Sequence, residues 1–127
     1  MALDYGSARM GVAVSDPTGT LARPLGVVEQ AGTDKGLAEL ERLVREQEIE
    51  RVVVGLPLTL RGTRGEQAAE TERFVEALRD VVAVPVELFD ERFTTDLAQQ
   101  TAGAAPEDAV AAAHLLSGWL EWSAARS

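Results

Sequence analysis

The chain contains no cysteine, one histidine and a single lysine, Lys35. The first absence excludes disulfides, thiolate metal sites and cysteine nucleophiles. With no thiol and one imidazole, a structural zinc site has no ligand set to draw on. No apolar run approaches the roughly 20 residues of a membrane span. No basic–apolar–small segment opens the chain in the manner of a secretory signal. The expectation is a cytoplasmic protein with no membrane partner. Positive charge is also scarce: 12 Lys and Arg stand against 21 Asp and Glu, a formal net charge of −9. That balance argues against broad, non-specific nucleic-acid binding, which runs on basic side chains neutralising phosphates. Apart from Lys35 the basic residues are all Arg, which grips phosphate in a planar, bidentate geometry. Net charge does not place those arginines, so a local basic site stays open.

What is present is an ordinary globular composition, 46% hydrophobic and 26% charged over 127 residues. That length suits one domain, residues 1–127, with a real core. The opening residues up to Asp4 read as the end of a strand, and residues 11–15 as a second strand stopped by Asp16-Pro17. Residues 20–29 read as a third, with Pro24 marking an edge or a bulge. Tight turns between them imply an antiparallel meander. Thr33 or Asp34 caps a helix whose Leu37, Leu40, Leu43 and Val44 share one face. Residues 51–55 form a continuous apolar run, as in a strand buried on both faces. Residues 66–80 read as a helix, 84–89 as another buried strand, and a helix is expected to start near Thr94 or Thr95. Pro106 opens a last helix running to about Ala124. Helices between the later strands imply parallel crossovers, hence an α/β fold on a mixed sheet of five strands.

In open sheets of this kind, sites form at the carboxyl ends of strands. Asp4 and Glu91 stand at such ends. On the last helix Asp108, Ala112, Leu115 and Trp119 fall on one stripe, which turns Asp108 toward the sheet. Three carboxylates brought together raise one another's pKa unless cations intervene. Divalent ions with oxygen ligands would resolve the repulsion, and two of them about 3.5–4 Å apart can drive in-line phosphoryl displacement. Plainer roles exist for each acid. Asp108 suits the first turn of a helix, Asp4 an Asx-turn around Gly6, and Glu91 a surface pair with Arg92.

The segment from Gly55 to Gly65 carries Arg61 and Arg64 between glycines and leads into a helix, a setting that favours anions. It lacks the Gly-Lys-Ser/Thr ending of a P-loop, and a plain strand-to-helix connection would read the same way. His114 points away from the Asp108 stripe, so a surface or partly packed role is expected. Trp119 and Trp122 read as core or interface anchors. Ser15 and Ser117 have no His–acid partners, which excludes a serine triad.

The motifs Asp4-x-Gly6-x-x-Arg9-x-Gly11-Val12-Ala13-Val14-Ser15-Asp16, Val54-Gly55-Leu56-Pro57 with Gly62-Thr63, Asp90-Glu91-Arg92-x-Thr94-Thr95, and Asp108 before Ala111-Ala112 together resemble the YqgF (RuvX) family. They span nearly the whole chain in order. The resemblance implies an RNase H-like fold related to Holliday-junction resolvases. It also implies a nuclease that processes the 5′ end of precursor 16S ribosomal RNA. Asp4, Glu91 and Asp108 would be the catalytic, metal-binding acids. Arg9, Arg61, Arg64 and Arg92 would contact phosphates. The cofactor would be Mg²⁺ or Mn²⁺, as two ions. Where the family carries a basic segment before the last helix, this chain has residues 99–106 without one basic side chain.

Four readings follow. The first is a metal-dependent endonuclease on structured RNA; a resolvase of branched DNA, which favours a two-fold homodimer, is its variant. A non-catalytic RNA- or protein-binding module of the same fold is the third. A nucleotide-binding protein of the sugar-kinase/actin type is the fourth, but such proteins need two domains around the nucleotide.

Overall fold

The computed structural model describes residues 1–6, 8–16, 18–56, 65–90 and 106–125. Strands β1 (Ala2–Asp4), β2 (Arg9–Ser15) and β3 (Ala22–Glu29) are followed by helix α1 (Asp34–Glu46). Then come β4 (Val52–Leu56), α2 (Glu66–Arg79), β5 (Val86–Asp90) and α3 (Glu107–Ala125). The sheet runs β3-β2-β1-β4-β5. The first three strands pair antiparallel, while β4 and β5 run parallel to β1. This is the mixed five-stranded α/β arrangement of the RNase H-like fold, with helices on both faces. The helix expected near Thr94 lies outside the described residues. No helix among the described residues is long and apolar enough to cross a membrane.

Strand alternation sorts the core into two layers. Leu3, Met10, Val12, Val14, Val52, Val54 and Val86 point to one face, where Leu37, Leu40 and Val44 of α1 and Phe74, Val75 and Leu78 of α2 cover them. Ala2, Ala13, Val53 and Phe89 point to the other, under Ala112, Ala113, Leu115 and Leu116 of α3. Small residues dominate this second layer, so α3 packs close to the sheet. β4 is buried along Val52, Val53 and Val54, as its unbroken apolar run requires.

Local signals act where the sequence places them. Thr33 is the N-cap of α1: its hydroxyl accepts from the Gly36 N–H at 3.2 Å and donates to the Gln30 carbonyl at 2.8 Å. Pro24 sits on β3, which stands at the sheet edge, beside the irregularity where Val12 pairs with Gly26 but Ala13 pairs with Pro24. An edge strand is where a residue without an N–H costs no ladder bond. In the β2–β3 turn the Asp16 carboxylate accepts from the Thr20 and Leu21 N–H groups and from the Thr18 hydroxyl at 2.7 Å. Those bonds hold its pKa below the usual value. The Pro106 carbonyl accepts the first bond of α3, from the Val110 N–H at 3.0 Å.

Candidate active site

The site begins with strand register. Asp4 ends β1 and pairs with Gly11 of β2, which puts their Cα atoms roughly 5 Å apart in an antiparallel ladder. Ala2 faces α3, so Asp4, two residues on, faces α3 as well. Gly11 faces the same way, being two residues before Ala13 of that layer. A side chain at Gly11 would be impossible without movement: its Cβ would lie 1.7 Å from the Asp108 carbonyl oxygen and 3.0 Å from the Ala109 nitrogen. The first turn of α3 therefore rests directly on Gly11, next to Asp4. A turn 104 positions away in sequence can rest beside Asp4 because Gly11 has no side chain.

The start of β2 completes this corner. Gly6 allows the tight return from β1, since a Cβ there would lie 2.4 Å from the Arg9 carbonyl oxygen. Arg9 then reaches along the α3 face, and its Nε lies 2.9 Å from Asp108 Oδ2. Its side chain is 58% exposed and that of Asp108 41%. The sequence stripe on α3 is thus observed, with Ala112 and Leu115 buried under the helix. At its Asp108 end the stripe runs out to the rim of the sheet, where the carboxylate meets a cation and solvent.

Behind Asp4, Tyr5 points to the opposite face. Its ring stacks on Phe74 with centroids 4.6 Å apart, and its hydroxyl donates to Glu70 Oε1 at 3.4 Å. Desolvation raises the Tyr5 pKa above 10.0, and the Glu70 charge and hydrogen bond add to the effect. Tyr5 therefore pins the end of β1 to α2, on the far side of the sheet from the carboxylates.

Of the acids singled out by sequence, Asp4 pairs with Gly11 and the Asp108 turn of α3 rests on that same glycine. Glu91 follows Asp90, the last residue of β5, and itself lies outside the described residues, as do Arg61, Arg64 and Arg92. Among the described arginines Arg9 is at the site. Others serve glutamates: Arg42 pairs with Glu39 and Glu46, Arg45 with Glu41, Arg79 with Glu76 and Arg51 with Glu87.

The single histidine is a correction. His114 was expected at the surface or partly packed, but it is buried, at 8% exposure. The reason is the breadth of the α3 contact: Ala112 through Leu116 are all buried, a wider arc than the stripe through Asp108. Trp119 is an anchor, as its position suggested. Its indole N–H donates to Glu87 Oε1 at 2.7 Å, and Arg51 lies 5.8 Å from the ring centroid. Trp122 packs on Phe89 with centroids 5.7 Å apart and remains 41% exposed. The contact that sequence reasoning missed is Arg9–Asp108. Its one signal was the parity that puts Arg9, Gly11 and Ala13 on a single face.

The donor set fits a divalent cation. Asp4 and Asp108 supply hard carboxylate oxygens from two elements at one rim, the ligand type that Mg²⁺ and Mn²⁺ select.

Fold and site together define an RNase H-like α/β protein with Asp4 at the carboxyl end of its central strand and the first turn of α3 seated beside it. Sequence comparison makes the class specific. The family described as "RuvX: Holliday junction resolvase" matches residues 1–122, and the chain belongs to it. Similar proteins include one from Chloroflexus aggregans, 48% identical over 100 residues, which cover 79% of this chain and 70% of that one. One from Anaeromyxobacter sp. is 41% identical over 95% of each chain. One from Syntrophomonas wolfei is 35% identical over 95% of this chain and 92% of its own. Each carries the name "Putative pre-16S rRNA nuclease". For two Chloroflexus aurantiacus relatives the match spans 65% of their length.

Proposed function

We propose that this chain is a cytoplasmic, divalent-metal-dependent endonuclease that acts in 5′-end processing of precursor 16S ribosomal RNA. Its class, a nuclease hydrolysing phosphodiester bonds, comes with the family and the names of its relatives. The observation that carries the finer reading is the seating of Asp108 on Gly11 beside Asp4. Carboxylates close together repel unless a cation lies between them, and Arg9 supplies one positive charge at Asp108. Together Asp4 and Asp108 offer the oxygen ligands that a phosphoryl-transfer metal requires.

Asp4 and Asp108 would hold the cation, and Glu91 would complete the set. When bound, a divalent ion polarises the phosphate and lowers the pKa of water. The remaining work falls to the chain. The β1–β2 register fixes Asp4, and Gly11 fixes the first turn of α3 and with it Asp108. Asp4 and Asp108 would supply carboxylate oxygens to such a cation, and Gly11 lets the Asp108 turn sit beside Asp4. Arg9 stands at this rim for contact with a phosphate, and by resemblance Arg61, Arg64 and Arg92 are the further candidates.

The test is cleavage by purified protein with Mg²⁺ or Mn²⁺, on precursor 16S RNA and on a four-way DNA junction side by side. Cleavage of the RNA that leaves 5′-phosphates and disappears in Asp4→Asn and Asp108→Asn supports the reading. A fully active Asp4→Asn variant refutes it. The family description favours a second reading, resolution of branched DNA. Symmetric cleavage of the junction by a two-fold dimer, with the RNA left intact, would select it.

A further inference from the structure

We infer that Arg9 is an exchangeable placeholder cation: it neutralises Asp108 in the metal-free protein, yields that carboxylate to the divalent ion, and then binds a phosphate of the substrate. The inference rests on the metal-nuclease reading and adds a role that the acids alone do not contain.

Three observations support it. Arg9 Nε lies 2.9 Å from Asp108 Oδ2, so the guanidinium lies against one of the carboxylates that the metal would need. Arg42, Arg45 and Arg79 pair with glutamates three or four positions away on their own helices, and Arg51 pairs across strands with Glu87. Arg9 is the arginine that joins the start of β2 to the start of α3, across the glycine on which the site is built. Finally, both partners are about half exposed. A pair as accessible as this shifts an equilibrium by no more than about five-fold, so it is strong enough to bias Asp108 and weak enough to be displaced.

The direction of the exchange follows from charge. A guanidinium and a divalent ion on the same carboxylate repel each other. The ion, held also by Asp4, displaces the singly charged arginine. Arg9 presents five N–H donors in a planar fork, and among the described residues its only ion pair is the one to Asp108. Once released, the fork is within a side chain's length of the same rim, with the geometry that suits a phosphate.

The experiment is calorimetric titration of the full chain with Mn²⁺ alone, for wild type, Arg9→Gln, Arg9→Lys and Arg23→Gln. Steady-state cleavage of whichever nucleic acid the wild type cuts is then measured for each. Arg23 lies on β3 toward the opposite end of the sheet, paired with Val14, and controls for the loss of one positive charge. Arg9→Gln is expected to bind Mn²⁺ about two- to five-fold more tightly, because the competitor is gone. Its KM should rise about ten-fold or more, because a charge-assisted phosphate contact is gone. Arg9→Lys should fall between. A merely structural or orienting role would weaken metal and substrate together, so opposite signs are diagnostic.

Mn²⁺ affinity in Arg9→Gln that is unchanged or weaker overturns the placeholder role. Equal tightening in Arg23→Gln overturns it as well. An unchanged KM overturns the phosphate step. A well-folded wild type that neither binds Mn²⁺ nor cleaves overturns the nuclease reading itself, and this inference with it. Melting curves confirm that each variant is folded before it is scored.

Discussion

Replacing Gly11 with Ala tests the central geometric claim with the smallest possible change. The new methyl would stand 1.7 Å from the Asp108 carbonyl oxygen and 2.3 Å from its carbon. Both are backbone atoms, so no rotamer change relieves the contact, and the first turn of α3 must retreat by more than about 1 Å. Overpacking of this kind costs about 1–3 kcal/mol. The entropy that alanine removes from the unfolded chain returns only about 0.4–1 kcal/mol. Net destabilisation of roughly 1–2 kcal/mol is expected in urea unfolding. The functional loss should be larger than the stability loss. Under the proposed function a 1 Å displacement of a catalytic group can cost about 100-fold, and Asp108 would move relative to Asp4 while both side chains remain intact. Gly26→Ala is the control: Gly26 lies on β3, and nothing lies within 4 Å of its added Cβ. It should be neutral or slightly stabilising and fully active. If Gly11→Ala is as stable and as active as Gly26→Ala, then α3 does not seat on β2 as described, and the argument that unites Asp4 with Asp108 fails.

Two further outcomes are expected. Thr33→Ala should lower stability by about 1 kcal/mol in denaturant titration, because the Gly36 N–H loses its capping acceptor; Thr33→Ser should retain most of it. Tyr5 is the only tyrosine in the chain, so ultraviolet titration reads it alone, and its midpoint should lie above 10.0 and fall toward that value in Glu70→Gln. The sign for stability follows. The folded state holds this proton more tightly than the unfolded chain, so the contribution is complete below pH 10.0 and is lost as pH rises through the folded pKa.

The elements were largely legible because each carries a local cause. The heptad-like spacing of Leu37, Leu40 and Val44 behind a threonine cap specifies α1 wherever it docks. The unbroken run at Val52, Val53 and Val54 can only be a strand covered on both faces. Pro24 announced an edge or a bulge because proline lacks the donor that an inner strand needs, and β3 shows both. The β5 boundary was less legible: the strand begins at Val86, after Pro85, two residues later than expected. His114 was misjudged because periodicity describes one stripe, whereas burial on α3 depends on how broad a surface the sheet presents.

The sequence by itself determined which residue types are available for chemistry. With no thiol and one imidazole, the carboxylates and arginines are what remain, and Asp4 at a strand end and Asp108 on an inward stripe stand out among them. Their meeting was decided by tertiary structure alone. It depends on β1 pairing Asp4 opposite Gly11, and on α3 descending until the Asp108 backbone touches that glycine. The Arg9–Asp108 pair was decided there too. Residues separated by 99 positions interact only after the sheet has formed and the last helix has docked. The physical reason is general: propensity and periodicity act within a few residues of the chain, whereas a site assembled from the ends of separate elements exists only when packing has fixed their relative positions.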